Sequence, residues 1–256
     1  MEPKINRDDR AIGSTQVLMD IGRWALLVCL YMLSFRAAFT FVTSRVPVSW
    51  VKTSWFYGYL SHACLLLIAL GFMAILKPFF CGNFGLQGPR PGKSYIRPAF
   101  WIGAGFGFLM LIVDYYPSLI SRSAPPGPYA TNLRNVVPWL VMEGVVVGFT
   151  EETLFRGLFL GYLVTRITPN VRIGTLRISV AGIIVAVTFS LAHAQAFWHT
   201  SLLSALGQQL YAIAIGIVCA YLFEESGSLL APAIAHNAGD FVEWCCCFTM
   251  TAVWHK

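Results

Sequence analysis

Charge is scarce in this sequence. Only 12% of its residues are Asp, Glu, Lys or Arg, while 57% are hydrophobic. Soluble domains carry about 25% charged residues, so the composition argues against one or two soluble domains of this length. The cysteines make no CxxC pair. There are seven, at Cys29, Cys64, Cys81, Cys219 and the run Cys245 to Cys247. An odd number without that spacing argues against a disulfide framework and a thiolate zinc site. They read as small apolar packing residues or an acylation site. The soluble zinc-protease signature HExxH is missing. No Ser, Thr or Cys nucleophile stands with obvious partners. No internal repeat supports a transporter fold. The net charge of +6 does not point to nucleic acid, because Lys and Arg fall mostly between apolar runs, where membrane topology accounts for them.

What is present is a series of apolar runs near the roughly 20 residues that a membrane helix needs. The expected fold is all-α, a polytopic transmembrane bundle of about seven spans. They are placed at about 24–42, 54–76, 98–118, 136–165, 178–197, 202–222 and 229–250, and an eighth segment has room within 77–97. Residues 1–20 are polar and mixed in charge, too long and too acidic for a signal-peptide n-region, and read as a tail ahead of a retained first span. In domain terms, 1–134 holds the tail and three weakly diagnostic spans, and 135–250 holds the chemistry. Basic residues concentrate on the side of the 77–97 and 166–177 connections. The positive-inside rule then puts the N-terminus in the cytoplasm. Gly103, Gly105 and Gly107 in span three would allow close helix approach. Arg36 is expected to snorkel or to pair inside the bundle. His62, near the start of span two, reads as structural. His199, His255, Glu224 and Glu225 read as interfacial.

Span four carries three formal charges, Glu151, Glu152 and Arg156, inside a long apolar run. Ionisable residues at such depth are costly and point to function. Glu152 and Arg156, four apart, share a helix face and can pair. Glu151 has Val147 and Phe155 at four residues on either side, so its own helix offers no partner. It is the better candidate for chemistry, and Glu143 lies two turns earlier on roughly the same side. Span five offers His193, and span seven offers His236 and Asp240, one turn apart. A glutamate can activate water, and histidine can donate to an oxyanion, shuttle a proton or hold a metal. Together these parts suit hydrolysis of an amide, with no cofactor or with a divalent metal such as zinc. Two other readings use the same polar seam. One is a transporter whose pathway runs through Arg36, Asp114 and Glu143, and the other is a non-catalytic membrane scaffold.

Three stretches in this order resemble a known family. Glu151 to Gly157 (EETLFRG) is similar to the EExxxR motif of the type II CAAX prenyl endopeptidases and their bacterial relatives, the CPBP or Abi family. Phe189 to His193 resembles its FxxxH motif. Ala235 to Asp240 resembles its third motif, a histidine followed four residues later by asparagine or a related residue. The resemblance covers about residues 135–245 and implies an intramembrane endopeptidase acting on a membrane-associated protein or peptide, with CAAX-type processing as one form. It implies that Glu151 activates the attacking water, Glu152 assists and Arg156 anchors that carboxylate. His193 would orient the water, and His236 and residue 240 would serve the oxyanion. Family members are described both as metalloproteases and as metal-independent glutamate proteases; the sparse ligand set favours the second. Asp240 departs from the asparagine of the prenyl-processing branch. An ionised aspartate would repel an oxyanion, so it would act protonated or hold His236 in one tautomer. The expected location is a bacterial plasma membrane rather than the endoplasmic reticulum. One difficulty of depth follows from these spans: His193 falls late in span five and His236 early in span seven, two spans that run in the same direction.

Overall fold

The computed structural model describes residues 14–51, 54–79, 82–125 and 131–254. Residues 1–13 of the expected tail, together with Cys81 and His255, lie outside them. Seven long helices dominate: α1 (Ser14–Thr43), α2 (Ser54–Leu76), α3 (Ile96–Ser121), α4 (Leu133–Val164), α5 (Val180–Ala192), α6 (Leu202–Ser226) and α7 (Leu230–Trp254). The protein is an integral membrane helical bundle. Among the described residues six helical stretches are long and apolar enough to cross a bilayer: α1 to α4, the run from α5 on to His199, and α6. That is one fewer than the seven spans expected. The seventh helix, α7, has the length but not the hydropathy, because it carries Asp240 and Glu243. Among the described residues no eighth helix fills the connection after α2. Its described part is one 3-10 turn (Lys77–Phe79) and irregular chain.

Local chemistry sets the element ends. Asn132 caps α4 by accepting from Asn135 N, and Ser179 caps α5 by accepting from Gly182 N. Gly227 closes α6 with φ +68°, a conformation that favours glycine. The connection between α4 and α5, expected as a basic loop, is an antiparallel hairpin of β1 (Asn170–Ile173) and β2 (Leu176–Ser179). Asn170 pairs with Ser179 and Arg172 with Arg177. Glu224 and Glu225 lie in the last turn of α6 rather than in a turn between helices. Glu225 pairs with Lys93 at 2.7 Å, and this neighbour pulls the Lys93 ammonium above its ordinary pKa. Arg36 lies exposed on α1, a position that suits snorkelling.

The core forms where α1, α2, α5 and α6 pack around α4. Phe159, Leu158, Leu160 and Leu163 of α4 are fully buried. Phe159 meets Trp24 and Tyr31 edge-on. On the other side α7 packs along α3. Gly103 and Gly107 make this approach possible. A Cβ on Gly103 would strike the Ala235 backbone, and one on Gly107 would strike that of Gly239. Gly105, on the opposite side of the same helix, faces open space. The glycine run therefore supplies one contact face with two glycines, which seats the stretch of α7 that carries His236.

Candidate active site

The helix α4 is not a uniform α-helix. Two π-helical segments, Met142–Val147 and Thr153–Leu160, flank the five residues Gly148–Glu152. Such segments shift the hydrogen-bond ladder and recur at functional sites. The shift at the first segment is closed from α7. Asn237 accepts from Gly148 N at 2.8 Å and donates to Val145 O at 3.1 Å. The two helices are close enough for this because Gly148 has no Cβ; one there would press on Asn237 and on the His236 Cβ.

Glu152 and Arg156 pair as their spacing predicts, Nη1 to Oε1 at 3.0 Å, with both side chains fully buried. Arg156 is held further. Its Nη2 donates to Gly216 O at 3.0 Å, and its guanidinium lies 4.9 Å from the Phe189 ring centroid. These contacts offset the desolvation that a buried charge suffers. The same Glu152 Oε1 accepts from His236 Nδ1 at 2.8 Å. Glu152 is thus committed to two partners.

Glu151 differs. Its Oε2 is buried, makes no hydrogen bond and lies 3.9 Å from His236 Nε2. Asp240 Oδ2 is also buried without a hydrogen bond, 3.4 Å from that same nitrogen. Two carboxyl oxygens therefore converge on one imidazole edge. Because His236 Nδ1–H is given to Glu152, at least one further proton must lie among Nε2 and these two oxygens to avoid mutual repulsion. The fields of His236, His193, His62 and Arg156 all bear on Glu151.

His193 reaches the site from the C-terminal end of α5. Its 13 residues end at Ala192, about 20 Å at 1.5 Å per residue, and His193 is the residue that caps it. The depth difficulty does not keep the two histidines apart, since both rings pack on Phe189. His193 Nδ1 donates to Phe189 O at 2.9 Å. Phe189 stands between the two histidines, 4.8 Å from the His193 ring and 5.6 Å from the His236 ring, centroid to centroid. His193, His236, Asp240 and Tyr211 line a small cavity of about 60 Å³. A second, apolar cavity of about 340 Å³ lies beside the motif, lined by Leu66, Phe149, Thr150, Ile234 and Asn237 among others.

The six residues singled out in the sequence are therefore brought together. Glu143 adjoins them: it is buried, and its field interacts with Asp240, Glu151 and His236. Sequence reasoning passed over two contributors. Asn237 bridges to α4 through its side chain, and His62 contacts Thr150 at 2.7 Å. The signal for His62 was an ionisable residue inside an apolar span. Among the described residues no group of three or more His, Cys, Asp or Glu side chains is arranged to hold a metal ion.

Residues 133–242 match the family described as Rce1-like, type II CAAX prenyl endopeptidase Rce1-like. This bears out the resemblance carried by the three motifs. No curated protein and no solved structure matches the chain.

Proposed function

We propose that this chain, Rce1-like over residues 133–242, is an intramembrane endopeptidase that hydrolyses a peptide bond of a membrane-associated protein or peptide. The observation that carries the reading is the division of labour in the Glu-Glu pair. Both glutamates keep a buried Oε2 with no hydrogen bond, but Glu152 Oε1 is held by Arg156 and His236, whereas the Oε2 of Glu151 faces the Nε2 edge of His236.

In the reaction, Glu151 takes a proton from a water held between its Oε2 and His236 Nε2, two atoms 3.9 Å apart. The water oxygen bonds to the scissile carbonyl carbon. The tetrahedral intermediate collapses, the C–N bond breaks, and Glu151 returns the proton to the leaving amine. The Nε2 edges of His193 and His236 face the oxygen that gains charge, and a protonated imidazole there stabilises it. Glu152 and Arg156 act as positioning residues, fixing the tautomer and direction of His236. Asp240 faces His236 Nε2 and shares the proton of that edge.

The apolar cavity beside Thr150 suits a hydrophobic part of the substrate, and CAAX-type chains are one class that presents such a part. We take α7 as a seventh crossing. Its 25 residues reach about 37 Å, and Glu243 and His236 are turned inward and buried. With the N-terminus in the cytoplasm of a bacterial cell, the hairpin side would face the same compartment.

The test is cleavage of a panel of membrane peptides, prenylated CAAX peptides included, by purified protein in proteoliposomes, read by mass spectrometry. Glu151→Gln and His193→Ala are run beside wild type. Cleavage by wild type that both variants lose supports the reading. Cleavage that survives Glu151→Gln overturns it.

A further inference from the structure

Three histidines in this bundle share one construction. His236 gives its Nδ1–H to Glu152, and His193 gives its own to the Phe189 carbonyl, which can only accept. His62, on α2, places Nδ1 2.7 Å from Thr150 Oγ1. That hydroxyl already donates to Val147 O at 2.9 Å, so it must accept from His62. In all three rings Nδ1 is pinned and carries a proton, so Nε2 is the edge left for other partners; in His236 that edge faces Glu151 and Asp240, and in a neutral His62 it keeps a lone pair. Two of these rings belong to the motifs of the family match. The third lies outside residues 133–242.

The anchor of His62 is the residue immediately before Glu151. Its field acts on Glu151 and on His236. Leu66, one turn further along α2, and Thr150 both line the apolar cavity. His62 is thus hydrogen-bonded to a residue that both lines that cavity and adjoins Glu151 in the chain. A substrate chain passing from the cavity to Glu151 must run beside it. An extended chain offers one N–H per residue there, each costly to bury unpaired.

We propose that His62 is a substrate-binding residue of the site, its Nε2 accepting a hydrogen bond from a main-chain N–H of the substrate and so holding the scissile carbonyl against Glu151. The inference rests on the peptidase reading. It assigns to α2 a recognition role that neither the motifs nor the family match supplies.

Two near-isosteric substitutions separate this role from a structural one. Asparagine at 62 places an amide near the position of Nδ1 and keeps the contact to Thr150. Glutamine places its amide oxygen near the position of Nε2 and keeps the acceptor. The experiment measures kcat and KM of His62→Asn, His62→Gln and wild type on a peptide that wild type cleaves, with Glu151→Gln as reference and melting temperature as a fold control. The expected result is that His62→Asn melts like wild type but loses about tenfold to a hundredfold in kcat/KM, the range for one lost hydrogen bond in a buried site. His62→Gln stays within a few-fold. Wild-type kinetics for His62→Asn, or equal loss in both variants without a change in melting, overturns the proposal. Should both variants melt early, Thr150→Val decides. It removes the anchor and keeps the ring, so a kcat/KM loss as large as that of His62→Asn supports the role, and no loss overturns it. Activity retained by Glu151→Gln instead overturns the peptidase mechanism, and is read separately from the His62 arms.

Discussion

His236 is tied to Glu152 through an Nδ1–H to Oε1 hydrogen bond of 2.8 Å, and the same oxygen accepts from Arg156 at 3.0 Å. The charge-bearing pair of α4 is therefore coupled to the histidine of α7 through a single atom. Fixing the tautomer this way leaves Nε2, and no other ring atom, to face Glu151 and Asp240.

The first prediction concerns that coupling. Arg156→Met removes a guanidinium that is fully buried and leaves the charged Glu152 with His236 as its one remaining hydrogen-bond partner of the two described. Breaking a buried pair from one side costs about 3–5 kcal/mol. The variant is expected to melt well below wild type in detergent. The double variant Arg156→Met with Glu152→Leu should recover much of that loss while remaining inactive. Failure of the second change to recover stability would show that Arg156 acts through Gly216 and Phe189 rather than through Glu152.

How much of this was legible beforehand divides by the range of the interaction. The Glu152–Arg156 pair is a four-residue spacing on one helix, so the sequence states it outright. The grouping of Glu151, His193, His236 and Asp240 was legible from motif order. The way His193 reaches the others was not, because it rests on Phe189, whose ring packs against both histidines across two helices. The π segments of α4 were equally hidden. They need a partner for the freed backbone groups, and that partner, Asn237, lies 92 residues from Val145. The seventh helix was found by length and is weak in hydropathy for the reason that makes it interesting: its carboxyl groups face inward.

A second prediction follows from Asn237. Asn237→Ala leaves Gly148 N and Val145 O without the bonds that close the first π segment. An unsatisfied buried backbone group costs about 1–3 kcal/mol. Because Glu151 is three residues beyond Gly148, activity is expected to fall more than stability does. Melting temperature and kcat measured together check this. A large drop in melting temperature at unchanged kcat per folded molecule would place Asn237 outside the site.

Asp240 supplies the third. Its Oδ2 faces His236 Nε2 at 3.4 Å. Asn at this position keeps the size and offers either an oxygen or an N–H to the ring edge, and it is the residue of the prenyl-processing branch. Asp240→Asn should retain kcat/KM within about tenfold, whereas Asp240→Ala, which leaves that edge unpaired, should lose about tenfold to a hundredfold. Equal loss in both variants would mean that the charge of Asp240, and not the size and polarity of the side chain there, is what His236 requires.

The last prediction tests whether the site depends on helix approach. Gly103 and Gly107 face the backbone of α7 at Ala235 and Gly239, on either side of the turn that carries His236, while Gly105 faces open space. Each is glycine, each lies in the same apolar helix, and composition does not separate them. Adding a methyl group at 103 or 107 meets main chain rather than a flexible side chain, so α7 itself must move. Overpacking of this kind costs about 1–3 kcal/mol. The displacement is carried to His236 and to its contacts with Glu152, Glu151 and Asp240. Gly103→Ala and Gly107→Ala are therefore expected to lower both melting temperature and kcat, and Gly105→Ala to change neither. A helix interior gains slightly from Gly→Ala where space allows, so the Gly105 variant should, if anything, melt a little higher. Three substitutions of identical chemistry thus give opposite signs, and only the packing of α3 on α7 distinguishes them. If all three behaved alike, helix propensity would account for the result and the close approach would not hold His236 in place.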